Sequence, residues 1–379
     1  MRIVHVITTL DVGGAEMHLL AQVRGQTERG HEVRVAYLKG FGTLRADFLA
    51  AGAREVVCVG AGLGLASALW SHLRWAEIVH SHLLKADMAT AVLATLAGRR
   101  KGLIASKHND EQVLRRPLVS FVHGVFGRLP QRTIVLSEHV GRFIAEHGRV
   151  PLARQTRIYY GIEPRPFAEA AQAEPQVRAA PRVELGIAHD AILFTCVARF
   201  APQKAHDVLL RAFAAARREP GGARLRLLLV GDDPFGDGKR KAEAVARELE
   251  LGDAVLFVGI RRDVPALLAT SDVFVMCSLW EGLGLVFLEA MAARLPVLAT
   301  RVSAVPEVVV DGATGVLVPV ADVEALARAM TALAGDDALR RRLGAAGAER
   351  VGKDFGLARM VDETLAVYRD VQNGSARGR

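Results

Sequence analysis

Glu281 and Glu289 stand eight positions apart in the stretch Trp280-Glu281-Gly282-Leu283-Gly284-Leu285-Val286-Phe287-Leu288-Glu289-Ala290-Met291-Ala292. Two glycines follow the first carboxylate. An apolar run, Asp272 to Cys277, precedes the stretch, and an amphipathic pattern continues to about Arg294. A strand, a glycine-bearing turn and a helix together build an anion site. The first N–H groups of the helix have no partner inside it, and the helix dipole favours negative charge there. Gly282 and Gly284 let a ligand approach the backbone. With Leu285 near the first turn, Glu289 lies one turn further on. A carboxylate there suits hydroxyls, such as a ribose diol, better than it suits a phosphate. The stretch reads as a holder for a phosphorylated, hydroxyl-rich ligand.

This arrangement resembles the E-x7-E motif of retaining GT-B glycosyltransferases, of the GT4-type or group 1 family. The whole of EGLGLVFLEAMAARLPVLAT carries that resemblance, not the two glutamates alone. The family's R-x4-K element is matched by Arg199 and Lys204, which follow a strand-like run and precede a helical one. In the family that basic pair contacts the donor diphosphate. A nucleoside diphosphate leaving group gains negative charge as the glycosidic bond breaks, and fixed cations beside a helix N-terminus neutralise it without a metal. The chain has no D-x-D of the metal-dependent kind and no histidine cluster with ligand spacing, so neither a metal nor a cofactor is expected.

The resemblance implies further roles. Glu289 holds the nucleotide ribose, and Glu281 lies near the hydroxyls of the donor sugar. The backbone of Gly282, Leu283, Gly284 and Leu285 lies beside the diphosphate or the sugar. Gly231-Asp232 matches a turn that lines the base pocket. Gly13 and Gly14 lie in the turn after the first strand-like run and bring the first domain close to the donor or acceptor, while Glu16 sits in the following helix's first turn, where a carboxylate complements the dipole. His108 follows a strand at its carboxyl end, where open α/β sheets bind ligands; its ring is expected to meet a sugar hydroxyl or the attacking group. His82, in His80-Ser81-His82, occupies a similar place, with a structural role the plainer reading. Two departures touch the sugar side. Tyr160-Gly161 stands where the family usually has Asn-Gly, and Ser303-Ala304-Val305-Pro306-Glu307 stands where it often has G-G-x-P-E.

The elements that must position these groups come in two sets. Strand-like runs at 2–8, 32–38, 55–59, 77–80, 102–106 and 132–136 alternate with helical patterns, which predicts a parallel sheet covered on both faces. From Tyr160 to about Leu185, prolines at 164, 166, 175 and 181 suggest a linker and loop. The alternation restarts at 191–198 and continues through 225–230, 254–258, 272–277, 296–300 and 314–318. The expectation is an α/β, GT-B chain of two doubly wound Rossmann-like domains facing across a cleft. Residues 1–165 with about 356–373 form the acceptor-binding domain, and 186–355 the donor-binding domain. The resemblance implies a last helix, from about Gly356 to Val371, that crosses back to the first domain; Gln372–Arg379 reads as disordered.

The 379-residue chain exceeds one hydrophobic core. Its formal net charge of +8 suits an acidic ligand or an anionic surface. Nucleic acid is disfavoured, because no dense basic run interleaves with aromatics. Cys58, Cys196 and Cys277 lie far apart in apolar runs and read as buried, inert thiols of a reducing cytoplasm. Met1 to Leu10 lacks the marks of a signal peptide. Arg115-Arg116-Pro117-Leu118-Val119-Ser120-Phe121 and the residues to Arg128 put basic groups beside an apolar segment. It reads first as a core-facing helix; the second reading is peripheral contact with the anionic inner face of a membrane.

The resemblance implies a retaining, metal-independent enzyme that moves a hexose-type sugar from a UDP- or GDP-sugar to a saccharide or lipid-linked acceptor. Its setting would be cell-surface polysaccharide or glycolipid synthesis in the cytoplasm. The alternatives are an epimerase or a sugar phosphorylase on the same fold, or a non-catalytic nucleotide-sugar-binding subunit.

Overall fold

A computed structural model of the chain describes residues 1–60, 62, 64–233 and 236–376. It divides into two compact units: Met1–Ile162 with Phe355–Arg379, and Glu163–Asp354.

The first unit runs β1 (Arg2–Ile7), α1 (Gly14–Glu28), β2 (Glu32–Tyr37), α2 (Arg45–Ala50), β3 (Glu55–Cys58), α3 (Leu65–Trp75) and β4 (Ile78–His82). It continues with α4 (Leu84–Leu96), β5 (Leu103–Lys107), α5 (Pro117–Phe126), β6 (Arg132–Val135), α6 (Glu138–Glu146) and β7 (Gln155–Arg157). All pairings are parallel, in the order β3-β2-β1-β4-β5-β6-β7. The order reverses between β1 and β4, the switch point at which open α/β sheets bind ligands.

The second unit opens with α7 (Arg165–Gln172) and α8 (Pro175–Glu184). Then follow β8 (Ile192–Val197), α9 (His206–Arg218), β9 (Leu225–Val230), α10 (Gly238–Glu248), β10 (Val255–Gly259), α11 (Val264–Ala269) and β11 (Val273–Met276). It closes with α12 (Leu285–Ala292), β12 (Val297–Thr300), α13 (Val305–Val308), β13 (Gly315–Val318), α14 (Val323–Gly335) and α15 (Asp337–Asp354). The parallel order is β10-β9-β8-β11-β12-β13, with its switch point between β8 and β11.

The prolines that suggested a linker and loop mark helices instead. Pro166 and Pro175 sit in the first turns of α7 and α8, where a missing N–H costs nothing. Pro181 lies inside α8 and is buried. Helix α7 packs on α11 and α12. Helix α8 is anchored by Arg182, whose guanidinium reaches Asp272 at 2.7 Å and the Thr270 carbonyl at 2.9 Å.

The last helix, α16 (Leu357–Ala376), belongs to the first unit. Ile162 and Gly356 form a parallel bridge: Ile162 N–H donates to the Phe355 carbonyl and Leu357 N–H to the Ile162 carbonyl. Gly161 is required there, because a Cβ would stand 2.6 Å from the Gly356 carbonyl oxygen. Met360, Val361, Leu365 and Tyr368 enter the same core cluster as Ile3, Leu19, Val23 and Phe48. Residues 372–376, expected to be disordered, continue this helix; residues 377–379 lie outside the described residues.

Two other expectations are corrected. Cys58 is exposed, whereas Cys196 and Cys277 are buried. Helix α5 buries Ser120, His123 and Gly124, but Leu118, Phe121 and Val125 are 74%, 58% and 54% exposed on its outer face. No helix among the described residues is long and apolar enough to cross a membrane.

Candidate functional site

In the second unit the chemistry-bearing residues gather at the carboxyl ends of β8 and β11. The loop after β8 carries Arg199 to Lys204, and the loop after β11 carries Ser278 to Gly284. They are stitched together. Gln203 donates from its side chain to the Trp280 carbonyl at 2.6 Å, and Leu279 N–H donates to the Gln203 carbonyl at 2.8 Å. The Cys277 thiol lies 3.3 Å from the Ala205 carbonyl oxygen. Ala205, in the left-handed region at φ +46°, turns the chain into α9.

The stitching brings Lys204 and Glu281 together. The Lys204 ammonium is hydrogen-bonded to Glu281 Oε1, which also accepts from Ser278 Oγ at 2.8 Å. Both partners are largely buried. The lysine expected to meet a diphosphate is therefore balanced by a carboxylate in the free protein. Arg199 is exposed and makes no ion pair among the described residues. It is the uncompensated cation of the loop.

Gly284 caps α12 at φ +83°, beyond ordinary reach of an L side chain, and its own Cβ would strike the Phe287 ring at 2.6 Å. Gly282 and Leu283 are buried just ahead of it, and Leu285 opens the helix. Glu289 lies one turn in. It is half-buried with no ion-pair or hydrogen-bond partner for its carboxylate among the described residues, and desolvation pushes its pKa up to about 7. Gly231 follows β9, and its Cβ would collide with the Ala198 carbonyl at 2.0 Å, so the turns after β8 and β9 touch through backbone alone. Asp232 is exposed beside it, its Oδ1 accepting from Asp233 N–H.

At the departure from the family's glycine pair, Ser303 takes φ +46°. The left-handed geometry is kept without the residue that adopts it freely. The Ala304 N–H points at the Glu281 carbonyl at 3.5 Å, so this turn backs the acidic loop. Glu307 lies in the first turn of α13.

In the first unit, Gly13 precedes α1 and Gly14 opens it. A Cβ on Gly13 would meet the Glu16 carboxylate at 2.5 Å, whereas Gly14 faces open space. Glu16 is buried, and Thr9 Oγ1 donates to it at 2.6 Å.

His108 follows β5 at its carboxyl end, where the sequence places it, but its ring is engaged within the protein. It is buried and both ring nitrogens are taken: Nε2 by His82 Nδ1 at 3.0 Å and Nδ1 by the Tyr160 hydroxyl at 2.6 Å. In this arrangement it has no nitrogen left for a substrate hydroxyl. It is one link in a chain of imidazoles. His82 Nε2 meets His5 Nδ1 at 2.9 Å, and His5 Nε2 meets Gln26 Oε1 at 2.9 Å. His80 lies between the Tyr368 hydroxyl at 2.6 Å and Ser106 Oγ at 2.7 Å. Burial pushes His5 down to about 4 and His108 to about 3, and holds His80 and His82 well below the usual range, so all four rings are neutral at pH 7. Ring nitrogens of His5, His80 and His82 come within 4.8 Å of one another, a spacing a metal could bridge. The partners just named already hold every one of those nitrogens.

His5 and His18 escaped the sequence reading. The available signal was the spacing of His80 and His82, two apart on a strand and so on one face. Nothing local linked them to His5 on β1 or to Tyr368 in the last helix.

Comparison with known proteins follows the two units. The description "Glycosyltransferase Family 4" matches residues 12–165, and "Glycosyl transferases group 1" matches residues 177–350. A D-inositol 3-phosphate glycosyltransferase of Saccharomonospora viridis is 32% identical over 314 residues, 78% of this chain and 70% of that one. A GDP-mannose-dependent alpha-(1-6)-phosphatidylinositol monomannoside mannosyltransferase of Mycolicibacterium smegmatis is 32% identical over 67% of this chain and 66% of its own. Against several other inositol-phosphate relatives the match spans about half of their length. The crystal structure of Anabaena HepE in complex with UDP superposes with a TM-score of 0.85 over 98% of this chain and 100% of that one, at 20% identity. That likeness is one of fold.

Proposed function

Because the chain belongs to the group 1 glycosyltransferases and has the GT-B fold, we propose that it transfers a hexose-type sugar from a UDP- or GDP-sugar to an acceptor hydroxyl, with retention and without a metal. One observation carries the reading. The loops after β8 and β11, on either side of the second sheet's switch point, bring Lys204 and Glu281 together ahead of α12, with Glu289 one turn into it and without a partner among the described residues. A diphosphate on the α12 N-terminus would find the helix dipole, the exposed Arg199 and, by competition with Glu281, Lys204. A ribose diol would supply the hydrogen-bond donors that Glu289 lacks.

In the mechanism this supports, the nucleoside diphosphate departs through an oxocarbenium-like state. The leaving phosphate takes the proton of an acceptor hydroxyl attacking from the same face. No protein nucleophile is assigned. The residues bind, orient and stabilise developing charge. Glu281, on which Lys204 and Ser278 converge, is the carboxylate placed to accept from the sugar's hydroxyls once the phosphate draws Lys204 away.

The named relatives are a D-inositol 3-phosphate glycosyltransferase and a phosphatidylinositol monomannoside mannosyltransferase. The outward apolar face of α5, with Arg115, Arg116 and Arg128 exposed at its ends, supports a lipid-linked or membrane-borne acceptor at the inner face of the membrane.

The test is a thermal-shift series with UDP, GDP and ADP, followed by the matching sugars. A ligand bound only by the folded chain raises the midpoint. One nucleotide should stand out and its sugar should release nucleoside diphosphate slowly. Unchanged midpoints throughout would end the proposal. Retention is checked by NMR of the fresh product, whose anomeric configuration should be that of the donor.

A further inference from the structure

The hydrogen bonds around the imidazole cluster have one consistent direction. Gln26 Nε2 donates to the Tyr368 hydroxyl at 3.3 Å, so its Oε1 is the acceptor for His5 Nε2–H. That leaves His5 Nδ1 as a lone pair, which accepts from His82 Nε2–H. His82 Nδ1 then accepts from His108 Nε2–H, and His108 Nδ1 accepts from Tyr160 O–H. The Tyr368 hydroxyl, accepting from Gln22 and Gln26, donates to His80 Nδ1, and His80 Nε2–H donates to Ser106. Every ring nitrogen of His5, His80, His82 and His108 is thereby committed.

His18 is the exception. It lies on α1, is 7% exposed, and stacks on the Tyr160 ring at 4.2 Å between centroids. Its Nδ1 is buried and has no hydrogen-bond partner among the described residues. Gln22, one turn along α1, lies beside the ring and donates from its own amide to Tyr368 at 3.0 Å. In the Nε2–H tautomer, the ring presents a lone pair at Nδ1. A buried acceptor left unsatisfied costs about 1–3 kcal/mol, so such an atom needs an explanation. The space it faces is a cavity of about 10 Å³ lined by His18, Gln22, Ser106, Lys107, His108 and Tyr160. Its volume suits one hydroxyl-sized group. Lys107 in its wall is neutralised by Asp87, and His123 Nε2 lies 3.1 Å from the same ammonium, so the cavity offers no free cation to an anion. It is built for a neutral donor of one hydrogen bond.

We propose that His18 is the residue of the first domain that accepts a hydrogen bond from a hydroxyl of the sugar acceptor, and that the chain Tyr160–His108–His82–His5–Gln26 holds its stacking partner Tyr160 in place. This rests on the glycosyl-transfer reading and adds to it the group that recognises the acceptor.

The protein labelled with 15N-histidine is titrated with glucose, N-acetylglucosamine and glycerol. At least one should shift the unprotonated Nδ1 of His18 upfield while His5, His80 and His82 keep their tautomers. In steady-state transfer to that acceptor, His18→Asn should raise KM about tenfold, the loss expected for one buried hydrogen bond. Nucleotide release to water and the thermal shift with the nucleotide should stay at wild-type values. If no probe moves His18, or all the imidazoles move together, the inference is wrong; the NMR result stands even where the variant folds poorly. If wild-type protein binds no nucleotide, it is the glycosyl-transfer reading that fails.

Discussion

Lys204 and Glu281, 77 positions apart in the chain, form a buried ion pair that a third residue, Ser278, shares. Removing one charge from a buried pair leaves the other uncompensated, at about 3–5 kcal/mol. Lys204→Ala and Glu281→Gln should each lower stability on that scale in urea denaturation. Lys204→Met with Glu281→Gln should lose less than the sum of the two, because no bare charge remains. Nucleotide release should be abolished in all three. Full activity in Lys204→Ala would overturn the site.

Glu289 ties ligand binding to pH. Its pKa of about 7 in the free protein means that near neutrality half the molecules hold a protonated carboxyl. A ribose diol donating to the ionised form binds best above pH 7. Nucleotide affinity measured by calorimetry should weaken as pH falls through 7, by up to about tenfold per unit below it. In Glu289→Gln that dependence should vanish. The same desolvation is a cost to the fold. A carboxyl whose folded pKa is raised is destabilising above its unfolded value, so Glu289→Gln should be more stable than wild type at pH 8 and lose that advantage near pH 4.

Ser303 holds φ +46° where a glycine would be unstrained. Ser303→Gly should raise stability by about 0.5–1 kcal/mol, since the left-handed penalty for an L residue exceeds the added chain entropy of glycine. Ser303→Val should be worse than wild type. Urea midpoints of the three proteins settle the order.

The buried imidazoles make the first domain acid-sensitive. His5, His108 and His123 have pKa values depressed to about 4, 3 and 4, with His18, His80 and His82 also well below 6.5. The groups facing them are other imidazoles, Lys107 with Asp87, and the hydroxyls of Tyr160 and Tyr368. Between pH 6.5 and 4 the unfolded chain takes up protons that the folded one refuses. Stability is therefore full above pH 6.5 and falls below it, by up to about 1.4 kcal/mol per pH unit for each histidine. A denaturation series over that range should show a slope of several protons, reduced by about one in His82→Gln. A flat series would contradict the neutral network.

The face formed by Leu118, Phe121 and Val125 should bring the protein to vesicles containing anionic lipid at low salt. Sedimentation with such vesicles should fall as salt rises, fall again in Arg115→Gln/Arg116→Gln, and fail in Phe121→Asp. Equal binding to neutral and anionic vesicles would remove the basic residues from the account.

Parallel strands buried on both faces are near-continuous apolar runs, and most of them were legible within a residue or two at each end. β7, reading Gln-Thr-Arg at the sheet edge, carries no such signal. The helices at 165–184 hid behind prolines, because proline in a first turn and proline in a linker look alike in one sequence. At the site, Lys204 and Glu281 were each legible from their own motif. Their pairing was not, since it depends on β8 and β11 lying side by side. His108 was legible as a residue at a strand's carboxyl end. What its ring does is decided by His82 and Tyr160, and those contacts come only with the fold.

Tyr368 accepts hydrogen bonds from Gln22 and Gln26, and its ring lies in one core cluster with β1 and α1. A ribosome releases residues 1–162 long before it makes Tyr368. The nascent first sheet must therefore wait, with His80 lacking its phenol and the apolar side of α1 uncovered, while the whole of Glu163–Asp354 emerges and is free to fold. Order of synthesis and order of completion are thus opposite: the half of the chain made first is finished last.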